Sequence, residues 1–104
     1  MAVTMIARWS GDPADLTARY DQQCAAILRS FDANGIPGLI AHTCSVLDDG
    51  IVVVDAWETQ ESFAAFVGSD AFRRSLEDAG MEEPTIALGE LHNVLRPEVA
   101  APAA

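Results

Sequence analysis

Two side chains near the middle of the sequence have the chemistry of an acid–base pair. The run "IVVVDAW" (Ile51 to Trp57) is apolar except for Asp55, and the run before it, "LIAHTCSVL" (Leu39 to Leu47), carries His42. A carboxylate that accepts one imidazole N–H orients the ring and favours its charged form, which readies a histidine for proton transfer. The letters "DDG" separate the two runs, and Asp-Gly between β-rich segments marks a hairpin. With Asp49-Gly50 as a two-residue loop, Cys44 falls opposite Asp55 and His42 opposite Trp57. All four then share one face, with His42 and Asp55 as diagonal neighbours within side-chain reach. A one-residue slip would send His42 to the other face. The other use for a lone carboxylate on a buried strand is to accept hydrogen bonds from a helix end or from a basic group across a subunit contact.

Other residues that could do chemistry are more dispersed. Trp9 and Trp57 stand at strand ends, where an indole completes a core or lids a cavity. Phe63, Phe66 and Phe72 recur at helical spacing and read as core. His92, in "GELHNVL" beside Glu90 and Asn93, lies near the chain end. Two histidines and scattered acids form no metal signature, so neither a metal nor another cofactor is expected. Cys24 and Cys44 fit no metal spacing and sit among apolar positions, where a thiol behaves as a small hydrophobe. No serine occupies a nucleophile elbow and no glycine-rich phosphate loop follows a strand.

The elements that must carry these residues follow from periodicity and capping signals. "VTMIARW" (Val3 to Trp9) reads as a first strand stopped by "SGDP". Asp12 as N-cap, Pro13 in the first helical position and Asp15 in the first turn open a helix. Leu16, Tyr20, Cys24, Ile27, Leu28 and Phe31 form its apolar stripe, and Gly35 is expected to close it. Strands two and three are the hairpin. A second helical region starts near Thr59, breaks at "GSD" with Ser69 or Asp70 capping the second piece, and ends at Gly80. "TIALGELHNVL" (Thr85 to Leu95), framed by Pro84 and Pro97, reads as the last strand. The order is strand, helix, strand, strand, helix, strand: the α+β, ferredoxin-like β-α-β-β-α-β arrangement, with a four-stranded antiparallel sheet and both helices on one face. One domain spanning 1–96 is expected, with a flexible C-terminal tail at 97–104 that has nothing to bury.

Composition narrows the partners. The 104 residues suit one domain, and half of them are hydrophobic, enough for a core. Sixteen acids against six bases give a net charge of −10, which would repel nucleic acid and anionic membrane surfaces. No apolar run approaches the roughly 20 residues of a bilayer-spanning helix, and "MAVTMIARW" lacks the features of a signal peptide, so a cytoplasmic protein is expected. The strands barely alternate apolar with polar residues, yet two helices cover only one face of a sheet. A second copy of the chain is the surface available to cover the other. A homodimer with sheet packed on sheet is therefore expected.

The stretch "VVVDAWETQESFAAFVGSDAFRRSL" resembles the dimeric α+β-barrel superfamily, and within it the antibiotic-biosynthesis-monooxygenase-like proteins. The residues that carry the resemblance are Trp57-Glu58 at the end of strand three, then Glu61, Ser62, Phe63, Phe66 and Phe72. It extends over roughly residues 3 to 95. The resemblance implies a dimeric barrel with one pocket per subunit between sheet and helices, open to small or aromatic compounds. Among the activities it implies are cofactor-independent oxygenation of polyketide-type or quinol substrates, haem degradation, isomerisation and lactone chemistry, and many members have no assigned reaction. The haem-degrading branch uses an Asn, a Trp and an iron-ligating His where this sequence has Ala7, Phe66 and Ser75, so haem degradation is not expected. In the polyketide-oxidising branch, Trp57 with Arg73 or Arg74 would supply parts of the site. Asp55 and His42 are thus the catalytic candidates, and Ala7, Trp9, Trp57, Phe63, Phe66 and Ser75 the pocket candidates.

Overall fold

The structure is a computed structural model that describes residues 1–31 and 35–95. Its elements run β1 (Val3–Ser10), α1 (Pro13–Ser30), β2 (Leu39–Leu47), β3 (Gly50–Trp57), α2 (Gln60–Val67), α3 (Asp70–Ala79) and β4 (Thr85–Glu90). The four strands form one antiparallel sheet in the order β2-β3-β1-β4. This is the expected α+β ferredoxin-like arrangement, with the second helical region split in two. The expected tail at 97–104 lies outside the described residues.

Local chemistry accounts for the element ends. The Asp12 carboxylate accepts from the amide of Asp15, with Pro13 leading the helix. Thr59 caps α2 by accepting from the amide of Ser62, and Ser69 caps α3 by accepting from the amide of Phe72. Gly80 ends α3 in the left-handed region at φ 67°, its amide and that of Met81 returning to the last turn of the helix. Helix α1 stops earlier than expected. Phe31 is already extended, its ring against Phe66 at 6.0 Å between centroids, so Gly35 serves the following loop rather than the helix end. Strand β4 is also shorter than expected. It pairs only with β1, which begins at Val3 opposite Glu90; beyond one further bond, from the Leu91 amide to the Ala2 carbonyl, nothing remains to pair with.

The hairpin turns one residue earlier than the Asp-Gly signal suggests. Leu47 pairs with Gly50, so Asp48-Asp49 forms the loop and Gly50 belongs to β3. Gly50 also sits beside Ser10, and a Cβ there would lie 2.0 Å from the Trp9 carbonyl oxygen. The glycine serves close strand approach rather than the turn. The corrected register sets His42 directly opposite Asp55 and Cys44 opposite Val53. Because the shift is two residues, the expected sharing of a face by His42, Cys44, Asp55 and Trp57 survives. At the start of β2 a bulge intervenes: Leu39 faces Trp57, whereas Ala41 faces Ala56.

One face of the sheet is covered by the helices. Val3, Met5, Ala7 and Trp9 of β1 and Ile51, Val53, Asp55 and Trp57 of β3 are buried there against Phe63, Leu76 and Ala79. The opposite face presents Ile6, Val52, Val54 and Ala56 at its centre with Thr4, Arg8, Thr43 and Ser45 around them, and Ile6 and Val54 are 39% and 37% exposed. The two central strands, β1 and β3, alternate in burial although their hydrophobicity does not; β2 and β4 at the edges are largely exposed.

Replacing Gly50 with alanine is expected to force a backbone shift between β3 and β1 and cost about 1–3 kcal/mol. A urea midpoint unchanged from that of the parent protein would contradict this account of the β1–β3 contact.

Candidate functional site

Between the helices and the covered face of the sheet lies a cavity of about 300 Å³, at the lower end of the range for small-molecule sites. Its walls are predominantly aromatic and aliphatic. Trp57 meets Phe63 edge-on at 5.9 Å and Phe66 at 5.3 Å, and Phe66 continues to Phe72 at 5.1 Å, so four rings form a continuous surface. Ala7, Trp9, Trp57, Phe63 and Phe66 all line the cavity as expected. Ser75 is not among its lining residues. It is buried on α3, where its hydroxyl donates to the Phe72 carbonyl at 2.6 Å, one turn back along the helix. Neither Arg73 nor Arg74 reaches the cavity; Arg73 pairs with Asp70 on the surface. His92, past the end of β4, is exposed.

The polar edge of the cavity is built on the corrected strand pairing. Asp55 is buried at 4% exposure, and its two carboxylate oxygens have separate donors. Oδ1 accepts from His42 Nδ1 at 2.5 Å and Oδ2 from Trp57 Nε1 at 3.2 Å. The donors thus come from the neighbouring strand and from two residues along β3, and they replace the helix end or foreign basic group that sequence alone left open. The imidazole is about one-third exposed, at 35%. Its Nε2 hydrogen-bonds the hydroxyl of Tyr20 on α1, the two ring planes parallel to within 2°. Tyr20, His42, Asp55 and Trp57 form one hydrogen-bonded line from helix to sheet.

Charge assignment follows from that line. The hydrogen bond to Asp55, more than any other influence, raises the His42 pKa from 6.5 to about 9, against the opposing effect of burial. At neutral pH the imidazolium then donates from both nitrogens: Nδ1–H to Asp55 and Nε2–H to the Tyr20 oxygen. Tyr20 keeps its own proton, because burial foremost, with neighbouring Cys24 adding to it, pushes its pKa well above the usual tyrosine value. Burial likewise pushes the Cys44 thiol up, and Cys24 and Cys44 are both free thiols. With both imidazole nitrogens engaged, His42 has no lone pair for a metal, and among the described residues no cluster of three or more His, Cys, Asp or Glu could hold one.

Sequence reasoning read Tyr20 and Cys24 as helix core and passed over Gln23, yet all three line the cavity. The signal lay in the helical period: residue 23 falls on the same stripe as 20, 24 and 27, so the carboxamide must face the sheet.

No family model matches the sequence, and no curated protein sequence matches it. Solved structures do. A cofactor-independent oxygenase from Streptomyces nogalater, SnoaB, aligns with a TM-score of 0.67 at 19% identity, covering 90% of this chain and 96% of that one. A candidate antibiotic biosynthesis monooxygenase from Caulobacter crescentus aligns at 0.70 and 13% identity over 88% and 91%. The protein NE2512 of unknown function from Nitrosomonas europaea aligns at 0.66 and 20% identity over 92% and 94%. The chain therefore has the antibiotic-biosynthesis-monooxygenase-like fold, the α+β fold that the Trp57–Phe72 stretch resembles. At these identities the likeness is one of fold, and chemistry has to be argued from the cavity.

The raised His42 pKa sets a pH dependence. A group whose folded pKa exceeds its unfolded value stabilises the fold fully below the unfolded pKa, here 6.5, and that contribution is lost as pH rises to about 9. An NMR titration of the imidazole is expected to show a midpoint near 9 in the parent protein and a value closer to 6.5 in Asp55→Asn. A parent midpoint below 7 would contradict the paired arrangement.

Proposed function

We propose that the protein is a homodimeric enzyme that binds a hydroxylated aromatic, polyketide-like metabolite in the cavity and carries out oxygenation of the cofactor-independent type on it. The observation that carries this reading is the Tyr20–His42–Asp55 line ending at the wall of an otherwise aromatic cavity. The aromatic walls suit a flat ring system. The Tyr20 O–H, with the His42 cation behind it, suits an oxygen atom that carries negative charge. Together they favour binding a phenol or enol as its anion, the form electron-rich enough to pass electrons to dioxygen directly. In this reading Tyr20 touches the substrate, His42 supplies the charge, and Asp55 holds His42 in its protonated form. His42 and Asp55 remain the residues that sequence singled out, but the role is oxyanion stabilisation rather than general base.

The uncovered face of the sheet supports the dimer in this reading. Ile6, Val52, Val54 and Ala56 form an apolar centre with the polar residues Thr4, Arg8, Thr43 and Ser45 around it, a composition suited to sheet-on-sheet packing against a second copy. The alternative, a non-catalytic binding or assembly module, is less well supported: an open cavity with a hydrogen-bonded polar edge is more than assembly needs.

Oxygen consumption with a panel of hydroxylated naphthalenes and anthracenes tests the enzyme reading. Tyr20→Phe and His42→Ala are each expected to lower kcat/KM by about 100-fold or more, the scale of losing a donor to a developing oxyanion. Binding without any oxygen uptake across the panel would favour the non-catalytic alternative. Sedimentation tests the dimer: the parent chain is expected at twice its mass of 11.1 kDa, and Val54→Glu as a monomer. A monomeric parent protein at micromolar concentration would refute the packing.

A further inference from the structure

The floor of the cavity is the covered face of the sheet, and one position on it is out of scale with the rest. The inward side chains of β1 are Val3, Met5, Ala7 and Trp9, and Ala7 is the one alanine on that face among the described residues. Val53 lies directly beside it on β3 and Ile86 on β4, while Met5 and Trp9 stand before and after it on its own strand. All five line the cavity, so a single methyl group sits in a notch walled by four larger side chains. Unfilled space over a sheet forfeits contacts that a branched side chain would make, and filling such a void is a common route to added stability. Stability alone would therefore favour valine or leucine at this position, whereas a ligand that settles on the sheet needs the space left open.

The notch is offset from the polar edge of the cavity. His42 pairs with Asp55 across β2 and β3, Asp55 pairs with Met5 across β3 and β1, and Ala7 is the next inward residue of β1 after Met5. Two strand spacings sideways and two residues along set Ala7 roughly 12 Å from His42 between Cα positions. A single phenol ring whose oxygen is held at the Tyr20–His42 edge falls short of that span, and a second fused ring extends over it. We infer that Ala7 is a specificity-determining residue that admits the second fused ring of the ligand, so that the cavity selects by ring number as well as by the acidic oxygen. Selection of this kind needs no polar group at the far end, in keeping with walls of aromatic and aliphatic side chains. This inference rests on the reading of the cavity as an aromatic-ligand site and adds to it the size of the ring system recognised.

The test is isothermal titration calorimetry of the full chain with phenol and 2-naphthol, paired with thermal melts of the unliganded protein. The parent protein is expected to bind 2-naphthol at least about tenfold tighter than phenol, the gain from burying a second ring. The ratio of the two affinities is expected to fall about threefold in Ala7→Val and about tenfold in Ala7→Leu, since each added carbon takes up space that the second ring needs. The unliganded Tm is expected to hold or rise in Ala7→Val, because its two extra carbons enter an open space. Ala7→Val, the smaller change, decides the matter where Ala7→Leu does not fold. A ratio that stays at the parent value in Ala7→Val, or a parent protein with no preference for 2-naphthol, would overturn this inference alone. A lowered Tm in Ala7→Val would also overturn it, by showing that the notch is packed rather than open. An absence of binding heat with both compounds in the parent protein would overturn the aromatic-site reading and this inference together.

Discussion

The burial of one carboxylate organises this site. Asp55 sits on the inner face of a central strand, among side chains that offer it no water, and a charge so placed must be matched by directed donors. His42 and Trp57 provide them, one to each oxygen. Each donor is fixed in its turn by its place on a strand, and the far nitrogen of His42 reaches the Tyr20 hydroxyl on the helix above. Removing the carboxylate would therefore leave an indole and an imidazole without their partners, and a tyrosine facing a neutral ring. The polarity of the whole cavity edge depends on that residue.

The surrounding architecture serves to keep this line dry on one side and open on the other. The chain of rings from Trp57 through Phe66 to Phe72 joins β3 to both short helices, so the break at Gly68-Ser69 lets α2 and α3 bend around a common aromatic centre. The indole of Trp9 is tied separately, donating to the Glu82 carbonyl at 2.7 Å where the chain enters β4. The two tryptophans bracket the cavity from opposite ends of neighbouring strands, and each ring has its donor satisfied, so both contribute apolar surface without an unmet polar atom.

Much of the fold was legible because its signals are local. Asp12-Pro13, Thr59, Ser69 and Gly80 each mark an end by hydrogen-bonding within a few residues, and such bonds do not depend on the rest of the structure. Where a boundary depends on a distant partner, the sequence misleads. Gly50 looks like the second residue of a turn, but the nearness of β1 draws it into the sheet. Strand β4 has the composition to run on, but its neighbour begins at Val3. The site was legible by halves. The shared face of His42 and Asp55 follows from strand parity, which a two-residue error in register leaves intact. The contributions of Tyr20 and Gln23 required knowing which stripe of α1 overlies β2, and that is set by packing between elements far apart in sequence. Ser75 shows the limit of reasoning by aligned position: a small side chain that bonds its own helix turn has no reach into the cavity.

The irregularity at the start of β2 has an effect on how this histidine is kept. Leu39 and His42 are three positions apart, so in an unbroken strand they would point in opposite directions. The one extra residue around Ile40 lets both point toward the helices, the leucine sealing the wall beside Trp57 and the imidazole completing the proton line. Loss of a single codon here would oblige the chain to give up either the seal or the cation, which makes the length of this segment as much a part of the chemistry as any side chain in it.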